Sequence, residues 1–311
     1  ARVKIAGTEC TFETGRIAKL ASAAIVGRCG DDVVLATVVV GSSPRDVDFL
    51  PLTVEYREKF ASVGRIPGNF QRREARISDA EVLMCRIIDR TIRSLFPKGY
   101  HHEVQLQVQV LSATPQSDLT SLALLSATAA IHLSEAPAKG PAAGLRILRH
   151  KEAWLAFGHR EHREAAEVDF VLGAGPDGVV MVEGDGREIS EELCVEAIEQ
   201  AQSWLQRAQK AFDELRSAAG SPDKHPIPEP PQLPELPDPV VAATRKVTTA
   251  TDKADRQRTS SEARKLALEL LPDEDPELVK TAVDKLRTKL VRELILDSGQ
   301  RLDGRKPDQI R

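Results

Sequence analysis

The sequence predicts an α/β (α+β) domain followed by a small all-α domain, and three observations carry that expectation. Across the first 220 residues, short β-rich runs closed by glycine turns alternate with a few helix-length segments. Residues 221–239, SPDKHPIPEPPQLPELPDP, hold eight prolines in nineteen positions. That density suits an extended polyproline-like connector and neither a helix nor a central strand. Beyond it, residues 240–298 show helix caps and helical periodicity with no strand signal. The expected organisation is a first domain over 1–220, a proline-rich linker over 221–239, a helical domain over 240–298 and a polar stretch over 299–311.

The elements follow in order. RVKIAG and ECTFETG read as short strands with a glycine turn after each. AIVGRCGDDVVLATVVVG gives two β-rich runs around a polar turn, and DFLPLTVEY a further extended run whose Pro51 discourages a helix. Ser78 and Glu81 form a capping box ahead of AEVLMCRIIDRTIRSLFPKGY, a helix that Pro97 and Gly99 bring to a stop. EVQLQVQVLSA alternates as a half-buried strand does, and LTSLALLSATAAIHLSEAP is a small-residue helix ending at Pro137. GPAAGLRILR with EAWLAFGH, and EVDFVLGAG with GVVMVEGDG, read as two hairpin pairs. A long amphipathic helix then runs from the N-cap Ser190 to Gly220.

With 311 residues, 41% hydrophobic and 29% charged, the chain has the balance of a two-domain globular protein. Its apolar runs are strand-sized, such as VVLATVVV at 33–40, so no membrane association is expected. Cys10, Cys29, Cys85 and Cys194 form no C-x-x-C pair, and their scatter suits reduced thiols rather than a zinc site. The histidine pairs lack metal-binding helical spacing, and neither a P-loop nor a G-x-S-x-G elbow is present. No catalytic and no metal-ligating residue is assigned. The opening ARVKIAGTEC shows no secretory signal, and the expected compartment is the cytoplasm, with a mitochondrion or chloroplast after transit-peptide removal as the alternative.

A net charge of −4 argues against non-specific coating of nucleic acid. Between Arg57 and Arg93, however, Lys and Arg outnumber Asp and Glu nine to five. Arg72, Arg73 and Arg76 precede the capped helix, and Arg86, Arg90 and Arg93 are spaced to share one of its faces. Guanidinium forks suit phosphate oxygens, the helix N-terminus adds partial positive charge, and Phe70 offers a ring on which a base can stack. Together these make a clamp for a single-stranded polynucleotide. The alternative is a solvated face tied to carboxylates, with Asp89 placed to tether Arg86 or Arg93 and Phe70 serving as a packing residue.

One long motif, DFLPLTVEYREKFASVGRIPGNFQRREARISDAEVLMCRIIDRTIRSLFP, closely resembles the first ribonuclease PH-like domain of the polynucleotide phosphorylase family. ETGRIAKLASAAIVGRCGDDVVLATVV, HEVQLQVQVLSA, GPAAGLRI and MVEGDGREISEE extend the likeness. The later helices resemble that family's all-helical domain, and RLDGRKPDQIR at 301–311 the start of a second ribonuclease PH-like domain. The resemblance implies the ribonuclease PH-like (ribosomal protein S5 domain 2-like) fold. It also implies a reversible, phosphate-dependent 3′-to-5′ exoribonuclease that degrades RNA, mRNA included, to nucleoside diphosphates. Inorganic phosphate would be co-substrate and Mg2+ the metal. The family forms a homotrimeric ring with a channel for single-stranded RNA, and degradosome-type partners are possible in kind. The positions matching its RNA-contacting motif are Phe70, Arg72, Arg73, Arg76, Arg86, Arg90 and Arg93.

Departures from the family pattern narrow the expectation. Phosphorolysis is assigned in the family to the second domain, where a strand supplies metal-binding carboxylates and a lysine. Here EVDFVLGAG keeps Asp169, but Val171 stands at the lysine position and Arg163 near the upstream carboxylate. Gln71 replaces a second Phe and Ser94 a Pro. This 311-residue segment alone is therefore expected to be inactive, binding RNA and building the ring. The rival reading is a non-catalytic RNA-binding or assembly protein that reuses the fold.

Overall fold

Strand β1 (Arg2–Ile5) begins a six-stranded sheet with β2 (Thr8–Glu13), β3 (Ala23–Cys29), β4 (Asp32–Pro44), β5 (Leu52–Glu58) and β6 (His102–Ser112). The spatial order is β1-β2-β3-β4-β6-β5. The last pair is parallel, with Leu52 opposite Val104, so the chain must cross over between them. Helix α1 (Asp79–Arg93) makes that crossover and packs Ile87, Ile88 and Ile92 inward. The computed structural model describes every residue except 68–75, 115, 230, 251 and 311.

Helix α2 (Leu119–Leu133) is apolar or small all round, and every one of its residues is buried. On one side it meets β3 and β4. On the other lies a four-stranded antiparallel sheet of β7 (Ala143–His150), β8 (Ala153–Ala156), β9 (Val168–Gly175) and β10 (Gly178–Gly186), ordered β10-β9-β7-β8. Gly27 permits the close approach: a Cβ there would come within 2.2 Å of Ser126 Oγ. The short helix α3 (Arg160–Ala165) links β8 to β9 and was not expected from the sequence. Its six residues are too few to display a period. Helix α4 (Glu191–Ala219), capped by Ser190 and ended by Gly220 at φ 60°, packs on β1, β7 and β9.

The division of the proline-rich segment differs from the expected 221–239 linker. The chain forms two compact units, Ala1–Pro228 and Glu229–Arg311, so residues 221–228 belong to the first. The reason is the buried carbonyl end of α2, whose last carbonyls have no partner within the helix. Lys224 Nζ donates to the carbonyls of Ile131 (3.1 Å), His132 (2.9 Å) and Ser134 (2.8 Å). Arg216 adds a donor to His132, and the His225 amide donates to Glu135 O at 2.7 Å. Helix-terminal carbonyls enclosed by protein need such partners, and the prolines supply backbone already extended enough to bring Lys224 there.

The second unit holds α5 (Asp238–Arg245), a 3₁₀ turn over Lys246–Thr249, α6 (Lys253–Leu270) and α7 (Pro276–Ser298). Asp252 and Asp275 cap the two longer helices through the amides of Asp255 and Glu277. Val240, Ala263, Ala267, Val279 and Val283 form its core. A two-pronged ion pair from Arg264 to Asp284, at 2.8 and 2.7 Å, fixes α6 against α7.

Burial, and next the Arg216 charge, bring the Lys224 ammonium down from 10.5 to about 7. Between those values the unfolded chain binds more protons than the folded one, so this residue makes stability rise with pH across the window. Urea unfolding at about pH 7 and about pH 9 should show that rise, and Lys224→Met should remove it.

Candidate nucleic-acid interface

The site is built on the N-terminal half of α1. Ser78 Oγ accepts from the Glu81 amide at 3.2 Å, while Glu81 Oε2 accepts from the Ser78 amide at 2.7 Å. The other Glu81 oxygen accepts from the Glu58 amide at 3.0 Å, which ties the end of β5 to the start of the helix. Burial pushes the Glu81 carboxyl up, but the Ser78 and Glu58 donors outweigh it and hold the group below its ordinary range. One expectation changes here. The N-terminus of α1 contributes little free positive charge, because Asp79 and Glu81 in its first turn already answer the dipole.

The arginines divide into distinct roles. Arg86 is exposed and has no partner among the described residues, and the same holds for Arg76 just before the helix. Arg90 pairs with Glu183 on β10, both side chains being about half exposed at 49% and 43%. Arg93 is committed to the fold: Nε and Nη2 bind Asp89 at 2.8 and 2.7 Å, and the fork also donates to Leu50 O at 3.0 Å and Leu52 O at 3.1 Å. Four of its five donors are thus used within the protein, which leaves little of the fork for a ligand. Asp89 raises its pKa further. Phe70, Arg72 and Arg73 lie outside the described residues. The exposed Val82 and Leu83, on the same side of α1 as Arg86, give the face an apolar component that charge counting overlooked.

Asp169 sits in a different environment. One of its oxygens accepts from Arg146 at 3.1 Å and from Arg163 at 3.4 Å. Arg146, nearly buried, also lies 3.1 Å from Asp118 and donates to Thr120 Oγ1 at 3.3 Å. Two guanidiniums thus stand where a divalent cation would need negative charge, and the donor set does not fit Mg2+. Among the described residues, no three His, Cys, Asp or Glu side chains gather to hold a metal. Sequence reasoning singled out Asp169 and Arg163; Arg146 and Asp118, 23 and 51 positions earlier than Asp169, had no local signal. It also took the cysteines as scattered, whereas Cys10 and Cys29 are register partners on β2 and β3 with sulfurs 3.0 Å apart.

Comparison with known proteins agrees with this architecture. Residues 8–137 match the 3′ exoribonuclease family, domain 1, and residues 240–306 match the family described as polyribonucleotide nucleotidyltransferase, RNA binding domain. A polyribonucleotide nucleotidyltransferase of Aquifex aeolicus is 38% identical over 96% of this chain and 40% of its own length. One of Thermomicrobium roseum is 36% identical over 99% of this chain and 41% of its own. The crystal structure of rice (Oryza sativa) Rrp46 superposes with a TM-score of 0.51 at 14% identity, covering 68% of this chain and 93% of that one, a likeness of fold alone. The chain spans about two fifths of the length of these curated relatives. The first unit therefore has the ribonuclease PH-like α/β fold, and the chain belongs to the polyribonucleotide nucleotidyltransferase family.

Proposed function

We propose that this chain is the strand-guiding part of a phosphate-dependent 3′-to-5′ exoribonuclease, which converts RNA and inorganic phosphate to nucleoside diphosphates. The observation that carries the reading is the exposed face of α1, where, among the described residues, Arg86 has no partner and Arg90 pairs with a surface carboxylate. An exposed ion pair of this kind contributes at most about 1 kcal/mol, so a phosphate can take the guanidinium from Glu183. Arg76, Arg72, Arg73 and Phe70 belong to the same proposed contact, which the relatives' names support as an RNA one. Arg93 acts as a positioning residue, fastening α1 to the carbonyls of Leu50 and Leu52.

Phosphorolysis itself is proposed to lie outside these residues, since Asp169 is neutralised by Arg146 and Arg163. Mg2+ and phosphate would be used there, within a trimeric ring in the cytoplasm, and degradosome-type contacts would belong to that whole assembly. The strand is guided here by charge and apolar contact, with no bond made or broken on this surface.

Two measurements test this. Purified chain 1–311 incubated with poly(A), phosphate and Mg2+ should release no nucleoside diphosphate; steady release that Asp169→Asn abolishes would refute the assignment. In a fluorescence anisotropy titration with single-stranded RNA, Arg86→Ala with Arg90→Ala should weaken binding and reduce the salt slope by about two. Arg72→Ala with Arg73→Ala should act in the same direction. Arg93→Ala should chiefly lower the unfolding midpoint, and unchanged RNA affinity in both folded double variants would return the patch to an ordinary charged surface.

A further inference from the structure

Cys10 on β2 and Cys29 on β3 face each other directly in antiparallel register. Both are free thiols, and their sulfurs lie 3.0 Å apart, with the Cys10 thiol donating to the Cys29 sulfur. Opposed antiparallel residues have Cα atoms about 4.5–5.5 Å apart, inside the roughly 4.4–6.8 Å that a disulfide spans. The strands therefore need not move for a bond to form, and the sulfurs have only about 1 Å to travel. Cys85 and Cys194 stand apart. Cys85 Sγ accepts from the Tyr56 amide at 3.2 Å, and among the described residues neither has a thiol partner.

The two sulfurs sit in unequal surroundings. Cys10 is fully buried in the core, whereas Cys29 is partly exposed as the last residue of β3, beside the turn at Gly30 (φ 61°). The hydrogen bond from Cys10 lowers the Cys29 pKa, outweighing burial and then the Asp32 charge, which push it up. The same hydrogen bond, and then burial, raise the pKa of Cys10. Asp32, opposite Cys29 on β4, already accepts from the Ser117 hydroxyl at 2.5 Å and the Thr114 amide at 3.2 Å. Cys29 is thus the sulfur that ionises first and the one that a small oxidant in water reaches.

We propose that Cys10 and Cys29 form an oxidative modification site, a dithiol that hydrogen peroxide closes to a disulfide stapling the β1–β2 hairpin to its sheet. The Cys29 thiolate attacks one peroxide oxygen: an S–O bond forms, the O–O bond breaks, and the departing hydroxide takes a proton to leave as water. The Cys10 sulfur then attacks the Cys29 sulfenic acid. The S–S bond forms, the S–O bond breaks, and the released hydroxide carries off the Cys10 proton as a second water. Two thiols and one peroxide become one disulfide and two waters. Within the sheet, β1 and β2 join the other strands through four register pairs, Cys10–Cys29 to Glu13–Val26. Phe12 in the same stretch packs edge-on against Phe212 of α4, ring centres 5.1 Å apart. Closure would therefore fix the outer hairpin at the end of its junction away from the β2–β3 loop.

The test uses the 311-residue chain and hydrogen peroxide. The free thiols, counted after denaturation, should fall from four to two, with Cys10 and Cys29 in one linked peptide, and a phosphine reductant should restore them. Cys85→Ser with Cys194→Ser should close as the parent chain does. In Cys10→Ala, dimedone should trap a sulfenic acid on Cys29; in Cys29→Ala, Cys10 should stay a thiol. Amide exchange in β1 and β2 should slow about tenfold on closure and recover on reduction. Four thiols surviving peroxide, or a loss confined to Cys85 and Cys194, would overturn the site. A sulfenic acid on Cys10 in Cys29→Ala would overturn the order of attack, and unchanged exchange in β1 and β2 the staple.

Discussion

A helix with no polar face must be enclosed on every side, and α2 imposes that condition on the whole first unit. The two sheets are the walls it requires, one through β3 and β4 and the other through β7. Enclosure creates a further demand, because the carbonyls at its C-terminal end lose water and must find donors. Lys224 and Arg216 supply them, so a segment built like a tether becomes a structural part. Of the buried hydroxyls along the helix, Thr128 donates locally to Leu124 O at 2.8 Å, whereas Ser121 and Thr120 accept from Arg146.

The same economy of donors explains why arginines of one motif do different work. A guanidinium is available to a ligand in proportion to the donors the fold leaves unused. Arg93 has almost none to spare, Arg90 shares its own with a neighbouring strand, and Arg86 spends none of its own on the described residues. The helix is tied to β5 at both ends, through Arg93 to Leu52 and through Glu81 to Glu58, and Arg86 lies between the two anchors.

Local signals were legible in the sequence, and distant ones were not. The Ser78 capping box, the inward face of Ile88 and Ile92, and the Asp89 tether to Arg93 all lie within one or two helical turns, and all can be read from spacing. The ribonuclease PH-like fold was legible because one gapless motif carries it. Lys224 meeting Ile131 across 93 residues left no trace in the residues around either. Neither did Arg146 meeting Asp169, nor the cysteines facing each other across two strands. Such pairs are set by sheet register and by where a helix ends, which no window of sequence contains.

The charge network around Asp169 has a consequence for how this domain can change over time. Asp118 is almost wholly enclosed, its side chain 3% exposed, and Arg146 is the cation beside it. Replacing Arg146 alone would strand that carboxylate, a loss of about 3–5 kcal/mol for a broken buried pair. A metal clamp at this position therefore cannot be reached by single substitutions through folds of undiminished stability. Two or more charges would have to change together before a divalent cation could find its ligands here.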